Sequence, residues 1–157
     1  MQFFVFRIAC VLASLVTILA MNGSAFATES STIGNIIKIR TYVSNPNGSF
    51  VFTSFGSAIA IGPSRILTNA HVILDANDEP TGLYEICFST DFERVPVCHE
   101  TARLIAYDTV ADLAILELPK TTSLAPFSLS TSKLAIGSYV SMYGYPRIGG
   151  ATITRTE

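Results

Sequence analysis

His71 closes the run Ser57-Ala58-Ile59-Ala60-Ile61-Gly62-Pro63-Ser64-Arg65-Ile66-Leu67-Thr68-Asn69-Ala70-His71-Val72. An imidazole placed just past a strand end is fixed in orientation yet reachable, as a general base must be. A histidine that takes a proton from a serine hydroxyl needs a carboxylate on its other ring nitrogen, which holds the useful tautomer. Two aspartates compete for that role. Asp108-Thr109-Val110 is a turn context, where an aspartate bonds nearby backbone. Asp112 directly precedes the apolar run Leu113 to Leu118, where a carboxylate is expected at the core edge, buried against the ring. Burying it unpaired would be costly, so His71 is its natural partner. The ordinary alternatives are a packing histidine at a helix start and an aspartate capping its own turn. Ser57, Ser138 and Ser141 sit in or beside strand patterns, without the flanking glycines of a sharp, exposed turn. No serine of this chain therefore reads as a nucleophile.

The elements that must hold these residues are strands. Gly62-Pro63-Ser64 breaks two apolar runs into strand, tight turn and short strand, and Thr68 or Asn69 can cap one helical turn carrying His71. Residues 33–43 and 50–61 read as strands around the turn Asn45-Pro46-Asn47-Gly48. Gly56 suggests a bulge or bend. Phe50, Phe52 and Phe55 are expected in the core. Residues 75–82 read as a loop, 83–88 and 94–97 as hairpin arms, and 102–107 and 113–118 as further strands. Short strands, frequent turns and no long amphipathic helix define an all-β class. The stretch 121–132, rich in Ser and Thr, reads as a connector. A new apolar pattern over 134–144, a turn at Gly149-Gly150 and a strand from Ala151 begin a second unit, where Tyr139, Tyr143 and Tyr145 could line a cleft.

Thr68-Asn69-Ala70-His71-Val72 and Ala111-Asp112-Leu113-Ala114-Ile115-Leu116 resemble, in this order, the histidine and aspartate motifs of trypsin-like serine proteases of the HtrA/Deg-type branch. Ser130 to Gly137 and Tyr143-Gly144-Tyr145-Pro146 resemble the opening of that family's second barrel. The resemblance implies a trypsin-like double β-barrel, the N-terminal barrel present over 28–120 with both motifs. A connector would follow at 121–133, and an incomplete second barrel at 134–157. It implies His71 as base and Asp112 as its acid partner. The family's serine lies in a Gly-x-Ser-Gly-Gly run beyond the Gly-Tyr-Pro segment, and the 157 residues contain no such run. Losing the nucleophile costs on the order of 10⁶ in turnover in a studied serine protease, so the chain as written is expected to be inert. The alternative is a non-catalytic secreted β-module that binds a peptide or protein by adding a strand to a sheet edge.

The N-terminus predicts export. Arg7 is the lone charge of residues 1–28, Ile8 to Met21 is a nearly unbroken apolar run, and Ala25-Phe26-Ala27 matches a small-x-small cleavage site. The apolar run is short of the ~20 residues of a spanning helix, so a cleaved signal peptide at 1–27 is expected, with no stable membrane anchor after cleavage. Removing Arg7 from the 10 basic residues, against 12 acidic ones, moves the net charge from −2 to −3. That mild balance offers no basic patch for nucleic acid. Of three cysteines, Cys10 leaves with the signal. Cys87 and Cys98 remain as an even pair in an exported chain, which favours a disulfide across the predicted hairpin. A metal site of Cys87, Cys98 and His99 matches no standard zinc spacing, and no cofactor is expected. The expected destination is the periplasm or the exterior, and the expected partner of a completed chain is a protein or peptide substrate.

Overall fold

The computed structural model describes residues 32–120, 122, 124–146 and 153–156. The expected signal, the turn at Gly149-Gly150 and the strand start at Ala151 lie outside the described residues. The described elements all belong to the unit Ile33–Glu157. They are β1 (Ile36–Ser44), β2 (Phe50–Gly62), β3 (Arg65–Thr68), α1 (Ala70–Ile73), β4 (Leu83–Phe88), β5 (Val97–Asp108), β6 (Leu113–Glu117), β7 (Met142–Gly144) and β8 (Thr154–Thr156). The first six strands close a barrel in the order β1-β2-β3-β6-β5-β4, and β7 pairs with β8 in a separate two-stranded sheet.

Side chains alternate across a strand, so each barrel strand sends every second residue inward. Ile37, Ile39, Ala58, Ala60, Ile66, Tyr84, Ile86, Ala114 and Leu116 are all buried in one cluster. The antiparallel register sets them side by side: Ile37 faces Ala58, Ala60 faces Ile66, Ile66 faces Leu116, and Ile39 faces Ile86. Alanines on β2 against isoleucines on β1 and β3 suit a narrow barrel filled by side chains.

Several expectations are corrected. The bulge in β2 is at Thr53, not at Gly56: Thr41 pairs with Ser54 and Tyr42 with Phe52, leaving Thr53 over. Thr53 Oγ1 donates to Thr41 O (3.0 Å) and Thr41 Oγ1 to Ser54 O (3.2 Å), which satisfies the polar groups there. Gly56 answers a packing need instead, since a Cβ there would lie 2.5 Å from Val72 Cγ2. The second hairpin arm is not 94–97; one continuous β5 runs from Val97 to Asp108. Pro96 cannot donate to a ladder, whereas His99 to Thr101, although polar, belong to the strand, with Glu100 opposite Ile86 and Thr101 opposite Glu85. His99 is thus an exposed strand residue, its ring 5.5 Å from that of Phe88. Phe50 and Phe52 are about half exposed rather than core. On the barrel's outer face, Phe52 meets Tyr42 edge to face, and the Arg40 guanidinium covers both rings. Of 134–144, only Met142–Gly144 is strand; Ile136 and Tyr139 stand fully exposed.

Cys87 and Cys98 pair across β4 and β5 as a disulfide. With both sulfurs in that bond, neither is available as a thiolate ligand. On a chain-entropy reading, a loop this short stabilises by roughly 3 kcal/mol. Replacing both cysteines by serine is expected to lower the unfolding free energy by about that amount, read from urea midpoints.

The chain after the barrel lies back along β2. Leu124 N–H donates to Pro63 O (2.8 Å), Phe127 N–H to Ala60 O (3.0 Å), and Tyr145 N–H to Ser57 Oγ (2.7 Å). Tyr145, Ile153, Ile33 and Ile36 form a second buried cluster, flanked by Phe127, Phe92 and Tyr143. Phe92, from the β4–β5 loop, stacks on Tyr143 at 5.9 Å. Tyr145 is 3 % exposed, and its hydroxyl has no hydrogen-bond partner among the described residues. Burial pushes that hydroxyl up to about 12. Ser89 pulls the other way, but its own hydroxyl donates to Asp91 O (2.6 Å). Because burial holds the phenol above its ordinary ~10, the fold keeps its stability below that pH and loses stability as pH rises from there toward the folded value. Tyr145→Phe is therefore expected to remove this alkaline loss. It should also raise stability at neutral pH by about 1 kcal/mol, because an unpaired buried donor disappears. Urea unfolding at neutral and alkaline pH reads both effects.

Candidate active site

The sequence places His71 on a turn whose other residues are anchors. Ala70, Val72 and Ile73 of α1 are buried, so His71 is the residue left facing outward. Thr68 ends β3 with its Oγ1 donating to Ser57 O (2.8 Å). Leu74 N–H closes the helical turn onto Ala70 O (3.1 Å), and Thr81 donates its N–H and hydroxyl to Ile73 O. Both ends of the turn are tied to the barrel, which fixes the direction of the histidine side chain.

Asp112 arrives from the neighbouring strand. Thr68 of β3 pairs with Ala114 of β6, so the residues just beyond each strand meet at the same barrel end. Asp108 Oδ1 accepts the N–H groups of Val110 (2.8 Å) and Ala111 (3.0 Å), so it holds the turn rather than the histidine. Asp112 has φ 53°, a left-handed conformation uncommon for a residue with a side chain. Its carboxylate accepts from His71 twice: Oδ1 from the main-chain N–H (3.0 Å) and Oδ2 at ring Nδ1 (2.8 Å). The Asn69 amide also donates to Oδ2 (3.1 Å). The His71 N–H first, then its ring, hold the Asp112 carboxyl below the usual carboxylate range. A depressed carboxyl contributes stability above its unfolded pKa and loses it as pH falls through the folded one, so the pair persists into mild acid.

The sequence brings these two residues together as expected, but burial of the carboxylate is corrected: the side chains are 70 % exposed for His71 and 43 % for Asp112. Hydrogen bonds, not desolvation, set the state of the acid. Nε2 of His71 makes no hydrogen bond among the described residues. The ring borders a cleft of about 550 Å³, lined also by Phe52, Phe55, Ser57, Asn69 and Tyr145. Tyr145 thus lines the cleft, while Tyr143 stacks away on Phe92 and Tyr139 is solvent-exposed. Ser57 lies within β2 with its Oγ engaged by Tyr145 N–H. Chemically, an imidazole whose Nδ1 faces a carboxylate keeps its proton there and leaves Nε2 as an acceptor, the state of a general base.

A closed barrel, a partial second one and this histidine–aspartate geometry define a trypsin-like protease fold. The chain belongs to the trypsin-like peptidase domain family, whose profile matches residues 56–157. It is 29 % identical over 138 residues to the serine proteases MT3772 and Rv3671c of Mycobacterium tuberculosis, from strains CDC 1551 and H37Rv. That alignment covers 88 % of this chain and 29 % of each relative, so the chain spans under a third of the length of these relatives. It is also similar in fold to the crystal structure of the active form of the Rv3671c protease, with a TM-score of 0.59 and 24 % identity, over 83 % of this chain and 51 % of that one.

Proposed function

We propose that the chain carries the base-and-acid half of an exported trypsin-like serine endopeptidase. The observation that carries this reading is the 2.8 Å contact of His71 Nδ1 with Asp112, its other ring nitrogen turned to a cleft, in a chain of a peptidase family. In this mechanism His71 Nε2 removes the proton of a serine hydroxyl as that oxygen attacks the scissile carbonyl, then returns it to the leaving amine. Asp112 holds the Nδ1–H tautomer and stabilises the imidazolium that forms. The serine and the oxyanion-hole amides would come from a segment beyond these 157 residues. Without it, residues 28–157 hydrolyse no peptide bond. The exposed side chains of Leu134, Ile136 and Tyr139 support such an added segment, because they give the second barrel apolar surface to bury.

Residues 28–120 are the first barrel, 121–133 the connector and 134–157 the start of the second barrel. The substrate is a protein or peptide, and the chemistry needs no cofactor. Export, to the periplasm or beyond the cell, is supported by the signal-like residues 1–27 and by a disulfide suited to an oxidising compartment. No helix among the described residues is long and apolar enough to cross a membrane. The non-catalytic alternative has less support, since it gives the His71–Asp112 contact no role.

The test is to express the chain joined to the segment encoded after codon 157 and to treat it with a fluorophosphonate probe. Labelling that disappears in His71→Ala supports the reading. A downstream segment lacking any Gly-x-Ser-Gly-Gly run, or a folded product that does not label, contradicts it.

A further inference from the structure

Asn69 occupies the N-cap position of α1 but makes no side-chain cap hydrogen bond to that helix. Asparagine is favoured at an N-cap because its carbonyl oxygen accepts from the N2 or N3 amide. Here the N2 amide is that of His71, and it donates to Asp112 Oδ1 instead (3.0 Å). The asparagine amide is turned the other way. Its Nδ2 donates both to the main-chain oxygen of Asp112 (3.1 Å) and to the carboxylate Oδ2 (3.1 Å). One planar group thus grips the backbone and side chain of a single residue, and that residue sits at φ 53°. A left-handed backbone at a residue bearing a side chain persists only where its surroundings hold it.

We infer that Asn69 is a positioning residue: its amide fixes the left-handed Asp112 so that Oδ2 meets His71 Nδ1 and Oδ1 meets the His71 main-chain N–H. The inference rests on the reading of His71 and Asp112 as base and acid partner, and it adds a third residue that acts through the second. The nitrogen is the part that matters. A donor can bridge two oxygens of Asp112, whereas a carboxylate in its place would repel them.

That distinction separates positioning from capping. Aspartate caps a helix about as well as asparagine, and alanine does not. Capping therefore ranks Asn69→Asp level with the wild type and above Asn69→Ala. Positioning ranks the wild type first, Asn69→Ala second and Asn69→Asp last. The readouts are two NMR signals of the purified full chain: the Nδ1–H resonance of His71 bonded to Asp112, and the ¹³C titration midpoint of the Asp112 carboxyl. Asn47→Asp, which adds the same charge in the β1–β2 turn, serves as control.

The expected result is an upward shift of the Asp112 midpoint in Asn69→Ala, a larger one in Asn69→Asp with loss of the Nδ1–H signal, and neither change in the control. Should Asn69→Ala fail to fold, Asn69→Asp alone carries the ranking. Wild-type values in Asn69→Asp overturn the positioning role while leaving the His71–Asp112 pair intact. A wild-type chain that itself lacks the Nδ1–H bond overturns the underlying site reading as well.

Discussion

Asp112→Asn is expected to lower the turnover of the chain completed by a serine-bearing segment by about 10⁴-fold, with little change in KM. The asparagine side chain is nearly the same shape, so an oxygen can still accept the His71 main-chain N–H that Oδ1 accepts at 3.0 Å. Its NH₂ group must then face Nδ1, where Oδ2 now lies at 2.8 Å. A donor facing Nδ1 makes that nitrogen the acceptor and drives the ring proton to Nε2. The nitrogen that should take the serine proton is then already occupied. Such a loss corresponds to about 5.5 kcal/mol of transition-state stabilisation. The unfolding free energy should change far less, because the pair is exposed and the Asn69 bond to the Asp112 main-chain oxygen remains. Steady-state kinetics on a peptide substrate, alongside urea unfolding, read both. A drop smaller than about tenfold would show that the carboxylate does not set the tautomer.

Gly56→Ala is expected to cost about 3 kcal/mol of stability and to disturb the site together with the fold. The added Cβ would lie 2.5 Å and 2.8 Å from the two Val72 methyls and 3.2 Å from Val72 Cβ. Rotating the valine does not clear it, because methyls on both sides are in the way and a β-branched side chain on a helix has one strongly preferred rotamer. The helix must therefore shift, and it carries His71. Truncating the valine makes room, so Gly56→Ala with Val72→Ala should cost less than the sum of the single changes. Urea midpoints for the four combinations check this, and the His71 ring signals report the displacement. Strict additivity would show that the contact is slack.

The pairing of His71 with Asp112 was largely legible in the sequence because both residues stand in local patterns. His71 stands in Thr68-Asn69-Ala70-His71, just past a short strand, and Asp112 precedes a run that reads as strand. Their meeting depends on the β3–β6 register, which a linear pattern does not display. Asn69 was readable as a cap and became something else because the Asp112 carboxylate, from the turn before β6, took the cap's place at the His71 amide. Gly56 looked like a bulge since glycine in a strand often marks one. The contact that demands it comes from Val72, 16 positions on, and only the folded barrel reveals that neighbour. Phe50 and Phe52 looked like core by hydrophobicity alone, yet both stand about half exposed, and Phe52 lies on the barrel's outer face beneath the Arg40 guanidinium. Over 134–144 the apolar pattern overstated the strand: among the described residues only Met142–Gly144 is strand, and it pairs with β8.

The base chemistry of the site depends on which ring nitrogen of His71 carries the proton. A long-range ¹H–¹⁵N spectrum of the full chain, recorded above the pH at which the ring is charged, assigns it directly. The expected spectrum shows a proton on Nδ1 in the wild type and its transfer to Nε2 in Asp112→Asn. A proton already on Nε2 in the wild type, or a spectrum the substitution leaves unchanged, would contradict the assignment of His71 as the base.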